Sequence, residues 1–409
     1  MRSPIDDEIR QIFDQCSGIV EGEVATYIPE LAAADPTAHG LCVMSVEGHN
    51  YAYGAVDVPF TVQSISKVFA YALALETHGF ETVDELIDVE PSGEAFNELS
   101  LDARTHRPRN PMINAGAITA SSLLPGDGPA QQVTALLDYL AGFVDHPLTV
   151  DDRVYASEAS TGHRNRAIAY LLRSVDVLRT DPMAAVDVYF RQCSVQVTAR
   201  DLALMAATLA NGGVQPTTGK LLVSRAVLRR VLSVMAGCGM YDGAGHWLTE
   251  VGLPAKSGVS GGILAVLPSQ FGVASFAPPL NEHGNSVRGV AAFRSLSEHY
   301  GSHLFEPRLG RLHTVRHRTT DVDDPGTVRY ALQGDLDVAG TESVLWQLTS
   351  EPPSTRRVVV DLSAADRVSA HAGELLAEMS RRYLVDGRTL EVVDPQELLT
   401  GIPDVTRLT

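Results

Sequence analysis

Apolar residues over the first three quarters of the chain follow two alternating spacings. Residues 6–34 carry apolar side chains every three or four positions, which predicts a helix. Residues 41–46 and 50–56 have the pattern of strands, and the tripeptide Glu47-Gly48-His49 between them predicts a β-hairpin.

Helical spacing returns after Ser64 and dominates residues 111–235, where residues 201–211 form the clearest predicted helix. Strand patterns then follow in three segments, at residues 262–267, 272–277 and 286–293. A hairpin first, helices in the middle and strands last predict an α/β fold. One sheet takes strands from both ends of this region, and a helical subdomain is inserted between them.

Residues 307–325 differ in composition from both flanks, because they are rich in Arg, His, Thr and Asp and poor in apolar residues. This composition predicts an interdomain linker between a first domain, residues 1–306, and a second domain, residues 326–409. His313 and His317 are four positions apart, but no third ligand clearly accompanies them. We therefore interpret both as solvated side chains rather than metal ligands.

Strand and helix patterns alternate in the second domain. Strands are predicted at residues 327–333, 357–362 and 389–393, and helices at residues 338–348, 370–383 and 395–399. Such alternation predicts a small α/β layer structure of its own.

Composition excludes several functional classes. A formal net charge of −18 and a pI near 5.1 argue against a nucleic-acid-binding surface, which needs a basic face. The four cysteines are widely spaced without a zinc pattern, so they predict reduced thiols. Neither a signal-peptide pattern nor a run of about 20 apolar residues is found. We therefore expect a soluble, cytoplasmic protein without a membrane partner.

Lysine usage points to the chemistry. The chain has 29 arginines but only three lysines. Two of the lysines belong to short motifs, one at the end of Ser64-Ile65-Ser66-Lys67 and one at the start of Lys256-Ser257-Gly258. Arginine keeps its proton near neutral pH, whereas a buried lysine can lose it and act as a base. Ser-x-x-Lys followed far downstream by Lys-Ser-Gly is the layout of serine acyl-transfer enzymes of the penicillin-recognising type.

The spacing of the first motif places Ser64 and Lys67 on one helix face. A serine hydroxyl becomes a good nucleophile when a base removes its proton, and Lys67 is the candidate base. Lys256 is a candidate second cation that would lower the pKa of Lys67. If Ser64 begins its helix, its amide N–H can donate to an oxyanion, and a residue just after Gly258 would supply the second donor. Taken alone, Ser64 could equally be a helix N-cap.

Polar clusters between the two lysine motifs extend this pattern. Together with the motifs themselves, these clusters lie in the segments FTVQSISKVF, EPSGEAFN, NPMINAGAI, SEASTGHRNRAIAYLL, YFRQCSVQVT, MAATLANGG, CGMYD and GLPAKSGVSGGI. Taken in order from about Tyr27 to about Tyr300, they closely resemble the glutaminase family of serine-dependent amidohydrolases. The resemblance implies a β-lactamase-like fold and hydrolysis of L-glutamine to L-glutamate and ammonia, with no metal or organic cofactor. It also implies a homo-oligomer.

The resemblance also assigns roles to individual residues. Ser64 matches the family nucleophile and Lys67 its activating base. Tyr27 and Tyr241 match active-site tyrosines, with Tyr241 a candidate proton relay. The positions that hold the substrate correspond to Ser64, Asn114, Glu158, Asn165, Tyr189, Tyr241 and the backbone of Val259. Glu158 suits the ammonium group of glutamine, and the amides and phenols suit its other polar atoms.

The second domain resembles a STAS domain, the module of anti-sigma-factor antagonists. The resemblance rests on Gly334-Asp335-Leu336-Asp337 and on Val358 to Ser363, each placed before a predicted helix. Members of that family often carry Asp-Ser-Ser-Gly at the start of the second helix. Here Ser369-Ala370-His371-Ala372 stands in its place, so the phosphorylated serine is missing. The sequence leaves open a regulatory, partner-binding or ligand-sensing role and a purely structural one.

Two other functions compete with the glutaminase hypothesis. A β-lactamase or penicillin-binding protein shares the Ser/Lys layout but acts outside the membrane and needs an export signal. A catalytically dead regulator would have no need for Ser64, Lys67, Tyr241 and Lys256.

Overall fold

A computed structural model describes residues 4–92, 101–306, 314–336, 338–400 and 406–408. Its backbone contacts divide the chain into two units, residues 1–306 and 307–409. Three parts of the motifs discussed above lie outside the described residues: positions 93–97 of the segment EPSGEAFN, His313 and Asp337.

The first unit is built on a five-stranded sheet in the order β2-β1-β7-β6-β5, with each neighbouring pair antiparallel. Its strands are β1 Gly40–Ser45, β2 Asn50–Gly54, β5 Ala255–Ser257, β6 Gly262–Leu267 and β7 Phe271–Phe276, while β3 Phe60–Thr61 and β4 Gln196–Val197 pair separately. The predicted hairpin and a sheet drawn from both ends of the region are confirmed.

Helices fill the long segment between the two groups of strands and also flank it. They are α1 Pro4–Ser17, α2 Pro29–Ala32, α3 Ser66–Asp84, α4 Asn114–Ser122, α5 Pro129–Val144, α6 Asp152–Thr161, α7 His163–Ser174, α8 Pro182–Cys193, α9 Ala199–Ala210, α10 Arg225–Cys238, α11 Ala244–Glu250 and α12 Val287–Tyr300. The inserted helical subdomain is therefore present.

The two faces of this sheet enter two separate cores because successive side chains of a strand point in opposite directions. On β1, Cys42 and Met44 pack with α3 and α9, whereas Leu41 and Val43 pack with α1 and α12. Helix α9 lies very close to β7: a Cβ atom on Gly272 would come within 2.0 Å of the backbone nitrogen of Ala207. The position requires glycine because a side chain would displace the helix.

Two predictions for the first unit are wrong. The predicted helix over residues 6–34 ends at Ser17, and the chain reaches Pro29 without regular helix. Residues 286–293 were predicted as a strand, but they begin helix α12. The Ser286 hydroxyl accepts from the Gly289 N–H and caps that helix, and Phe293 and Leu296 are buried on one of its faces.

The second unit contains a five-stranded sheet in the order β12-β11-β10-β9-β8, with parallel pairing from β9 to β12. Its elements are β8 Val315–Thr320, β9 Thr327–Leu336, α13 Val338–Thr349, β10 Arg357–Val368, α14 Ala370–Val385, β11 Thr389–Val393 and β12 Thr406–Leu408. One sheet face packs against both helices. The other carries ion pairs between neighbouring strands, such as Arg329–Asp361 at 3.0 Å.

Two predictions for the second unit also need correction. Residues 315–320, predicted as part of the linker, form β8 and pair antiparallel with β9. Backbone pairing with β9 makes these residues a strand although their side chains are polar. Arg318 also forms an ion pair with the buried carboxylate of Glu351 at 2.6 Å. Residues 395–399 form turns rather than a helix, because the Asp394 carboxylate accepts from the backbone N–H groups of Leu398 and Leu399.

Three further findings concern only the described part of the chain. No helix there is both long and apolar enough to cross a membrane. All four cysteines are buried and free of disulfide bonds. No group of three or more His, Cys, Asp or Glu side chains is arranged to hold a metal ion, and His317 is an exposed residue of β8.

Candidate active site

The predicted nucleophile lies on a strained turn at the start of α3. A short 3₁₀ helix, Gln63–Ile65, carries Ser64 and runs directly into α3. Gln63 has a φ of +47°, a left-handed conformation that non-glycine residues seldom adopt. The side chain of Ser64 is buried, at 7% exposure, but it reaches a cavity. Backbone strain next to a cavity-facing hydroxyl is a common feature of functional sites.

Lys67 follows Ser64 by one helical turn and has no exposed surface. Its Nζ donates to the Met112 carbonyl at 3.2 Å and to Asn114 Oδ1 at 2.7 Å. Among the described residues these two oxygens hold the amine, rather than a hydrogen bond to Ser64. Burial lowers the pKa of Lys67 to about 8, because desolvation disfavours the charged amine.

Tyr241 lies near Ser64, and Lys256 packs against the Tyr241 ring. Tyr241 starts a second 3₁₀ helix, Tyr241–Gly243, with a φ of +58°. Its hydroxyl donates to the Ser257 carbonyl at 3.0 Å, and the Ser64 side chain lies close enough to lower the pKa of the phenol. Burial raises the pKa of Tyr241 to about 12. The phenol is therefore protonated near neutral pH, and the Ser257 carbonyl orients its O–H group.

Lys256 is also fully buried, on strand β5. Its Nζ donates to the carbonyls of Gly239 and Ser257, each at 2.8 Å, and lies 3.9 Å from the centroid of the Tyr241 ring. Desolvation, followed by repulsion from Lys67, lowers the pKa of Lys256 well below its ordinary value. The charge of Lys67 thus acts on the pKa of Lys256, whereas the pKa of Lys67 is lowered by its own burial.

An amide-rich wall faces the nucleophile. Asn114 begins α4, and its Oδ1 accepts from Lys67 and from the Tyr189 hydroxyl at 3.2 Å. Its Nδ2 donates to Asn165 Oδ1 at 2.9 Å, which links α4 to α7. Because the Asn114 oxygen is used by two donors, the orientation of its amide is fixed by the protein rather than by a ligand.

One carboxylate, that of Glu158, lies beside the nucleophile turn. Glu158 on α6 is 6% exposed, and its Oε1 accepts from the Tyr27 hydroxyl at 2.8 Å and from Gln63 Nε2 at 3.4 Å. Desolvation raises the pKa of Glu158, while the two donors act in the opposite direction. These two hydrogen bonds therefore stabilise the charged form of Glu158, whose burial would otherwise cost free energy.

The nucleophile, the amides and the carboxylate surround one cavity of about 300 Å³. It is lined by Tyr27, Gln63, Ser64, Asn114, Glu158, Thr161, Gly162, Arg164, Asn165, Tyr189, Cys193 and Val259. A larger groove of about 450 Å³ runs past Glu30 and Phe60, but its lining includes neither Ser64 nor Lys67. We place the chemistry in the smaller cavity, since it holds both a candidate nucleophile and a charge suited to an amino-acid substrate.

The loop after β5 lies against the nucleophile turn. A Cβ atom on Gly258 would lie 3.0 Å from the Val62 carbonyl and 3.4 Å from Gln63 Cβ, so only glycine fits without displacing that turn. Val259 follows and reaches the cavity. All ten predicted site residues are thereby collected, seven in the cavity lining and Lys67, Tyr241 and Lys256 immediately around the nucleophile.

Several cavity residues were not identified from the sequence as site residues. Gln63, Thr161, Gly162 and Arg164 lie beside predicted residues within the quoted segments, so adjacency was the available signal. Cys193 was interpreted only as a structural thiol. Burial raises the pKa of its thiol to about 12, which keeps it protonated and unreactive although it lines the cavity.

Comparison with known proteins identifies the class to which this fold and cavity belong. The family model described as Glutaminase matches residues 22–305. A glutaminase of Corynebacterium efficiens is 44% identical over 399 residues, which cover 97% of this chain and 93% of the relative. A glutaminase of Trichormus variabilis is 48% identical over 304 residues, or 74% of this chain and 91% of the relative.

Solved structures agree with the family model. The native form of Mglu superposes with a TM-score of 0.89 at 41% identity, covering 97% of this chain and 100% of that one. A probable glutaminase from Bacillus subtilis, complexed with 6-diazo-5-oxo-L-norleucine, gives a TM-score of 0.69 at 31% identity over 75% of this chain and 98% of that one. The chain belongs to the glutaminase family. It is an amidohydrolase that hydrolyses L-glutamine to L-glutamate.

Proposed function

We propose that hydrolysis proceeds through a covalent γ-glutamyl ester on Ser64. One observation carries the proposal. The Ser64 hydroxyl lies in a cavity of amino-acid size, close to the Tyr241 hydroxyl and one helical turn from the fully buried amine of Lys67. A base and a nucleophile placed in this way are the elements of covalent acyl transfer.

In the first half-reaction, Ser64 Oγ attacks the side-chain carbonyl carbon of glutamine while neutral Lys67 takes the hydroxyl proton. The carbonyl oxygen becomes an oxyanion, for which the backbone N–H groups of Ser64 and Val259 are the proposed donors. The C–N bond then breaks, and the nitrogen leaves as ammonia after receiving the proton that Lys67 took from Ser64, which returns Lys67 to its neutral form. Tyr241, which contacts both Ser64 and the Ser257 carbonyl, is the proposed relay for that proton.

In the second half-reaction, water attacks the ester carbonyl and gives up a proton to the same base. The bond from carbonyl carbon to Ser64 Oγ breaks, Oγ regains a proton, and glutamate leaves. Burial keeps a fraction of Lys67 neutral near neutral pH, and Lys256 lies against the Tyr241 ring, 3.9 Å from its centroid. The burial of Lys67 supports its role as the base.

Substrate orientation follows from the charges of the cavity walls. Glu158 is the proposed partner of the α-ammonium group, because a buried carboxylate pairs strongly with a cation. The side chains of Asn114, Asn165, Tyr189 and Tyr27 supply the neutral hydrogen-bonding groups for the remaining polar atoms. A cavity of about 300 Å³ suits a free amino acid rather than a peptide.

An electrophilic glutamine analogue tests the covalent step. Incubation with 6-diazo-5-oxo-L-norleucine is expected to abolish ammonia release and to add one analogue, less N₂, to the peptide that contains Ser64. Peptide mass spectrometry locates the adduct, and the β-lactam nitrocefin serves as a control that the enzyme should leave intact. An adduct on any other residue, or turnover of nitrocefin, would contradict the proposal.

Glu158→Gln is expected to raise the KM for glutamine about 50-fold or more and to change kcat far less. Loss of a buried charge partner costs 2–5 kcal/mol or more, whereas the reacting groups keep their positions. The nearby Glu30→Gln variant is the matched control, since Glu30 lines the neighbouring groove instead. Steady-state kinetics decides the matter: an unchanged KM in Glu158→Gln would remove Glu158 from substrate binding.

The remaining expectations concern architecture. An antiparallel sheet covered on both faces, with helices inserted between its strands, supports a β-lactamase-like fold for the first unit. A mixed sheet with two helices on one face supports a STAS-like second unit. Ser369 caps α14 by accepting from the Ala372 N–H, which supports a structural role for this serine. Homo-oligomerisation remains part of the proposal.

A further inference from the structure

The turn of residues 281–285, between β7 and α12, places one buried amide behind the active site. Asn285 is 4% exposed. Its backbone is held by Asn281, whose Oδ1 accepts from the N–H groups of His283 and Asn285, each at 3.0 Å. The Asn281 N–H in turn donates to the Asn285 carbonyl at 2.8 Å. The Asn285 side chain therefore projects from a rigid base.

That side chain joins two segments that carry candidate catalytic groups. Its Oδ1 accepts from the hydroxyl of Ser257, the residue after Lys256. Its Nδ2 donates to the carbonyl of Met240, the residue before Tyr241, at 3.5 Å. The sequence separates these two contacts by 17 positions, and Asn285 adds a bridge to the direct hydrogen bonds from Tyr241 to Ser257 and from Lys256 to Gly239.

Ser257 is where these contacts converge. Its carbonyl accepts from the Tyr241 hydroxyl at 3.0 Å and from Lys256 Nζ at 2.8 Å, while its hydroxyl is held by Asn285. Tyr241 itself has a φ of +58°, a costly conformation that persists only where neighbouring contacts enforce it. The hydrogen bond from Asn285 to the Met240 carbonyl acts directly beside that strained residue.

We propose that Asn285 is a positioning residue that holds the Tyr241 turn against the end of β5, so that the Tyr241 hydroxyl stays on Ser64. The inference rests on the role proposed above for Tyr241. Asn285 does not line the substrate cavity, so it acts on the chemical step through Tyr241 and not on binding.

A double-mutant cycle with Tyr241→Phe tests this pathway. Asn285→Ala alone is expected to lower kcat about 10- to 100-fold and to change KM less than threefold. A loss of this size is typical when two residues of one hydrogen-bond network, here Asn285 and Tyr241, are energetically coupled. In the Tyr241→Phe background, Asn285→Ala is expected to cost less than threefold, because the group that it positions is already gone. Stopped ammonia assays at saturating glutamine give the four kcat values.

Glu282→Ala is the matched control. Glu282 lies in the same turn, but its side chain is 88% exposed to solvent, so full activity is expected. Ser257→Ala removes the same tether from its other end and replaces Asn285→Ala if that variant does not fold. An equal loss in both backgrounds would mean a purely structural role and would overturn the proposal. Full activity of Tyr241→Phe would remove its premise, and with it the proposal.

Discussion

Ser64→Ala is expected to lower kcat for glutamine hydrolysis by about 10⁴-fold or more while leaving the protein folded. The hydroxyl is the only reacting atom that the chain contributes to the proposed ester, so no other group can replace it. The lost oxygen reaches the cavity, and its removal disturbs little packing. Ammonia release from purified protein and the thermal unfolding midpoint measure the two effects.

Ser66→Ala supplies the comparison for that variant. Ser66 belongs to the same motif, but its hydroxyl donates to the Gln63 carbonyl at 2.6 Å. A loss below about tenfold is expected there, since the hydroxyl would take no part in the ester. Comparable losses in both serine variants would place the effect in the local fold and contradict a nucleophilic role for Ser64.

Lys67→Arg is expected to lower kcat by about 10²- to 10⁴-fold, although the positive charge is retained. A general base contributes rate enhancements of this size, and a guanidinium cannot give up its proton near neutral pH. The variant therefore separates base catalysis from electrostatic stabilisation. Lys220→Arg is the matched control, because Lys220 is the third lysine of the chain and is exposed; it should retain full activity.

The pH dependence of the unmodified enzyme tests the same role of Lys67. A pKa of about 8 leaves about one amine in ten neutral at pH 7 and about nine in ten at pH 9. Since the neutral form is the base, kcat/KM is expected to rise with pH through a midpoint near 8 and then level off. A rate that falls over this range, or Lys67→Arg with normal activity, would contradict the proposed base.

The sequence allowed the proximity of candidate site residues to be predicted wherever the reasoning depended on local spacing. Ser64 and Lys67 are three residues apart, so one helical turn brings them together whatever the rest of the fold does. Asn114, Glu158 and Tyr189 come from separate helices, and spacing alone could not unite them. Their prediction depended on resemblance to a family, and the structure places all of them around the cavity containing Ser64.

The predictions that failed depended on tertiary contacts. Residues 286–293 have an apolar content compatible with strand or helix, and the Ser286 cap decides for helix. Asn285 gave no signal because its partner Ser257 lies 28 positions away in the chain. Gln63 had only its adjacency to Ser64, because its partner Glu158 lies 95 positions away. A polar side chain that bridges distant segments has no recognisable spacing in the sequence.

Strand β8, which its composition predicted to be part of a linker, also protects the edge of its sheet from aggregation. Strand β8 ends the strand order of the second unit, and a sheet edge with free backbone groups is a template on which strands of other molecules can add. Residues 316–319 of this edge are Arg-His-Arg-Thr, all exposed. The charged side chain of Arg316 opposes such edge-to-edge association, so the polar composition of this segment favours a dispersed protein.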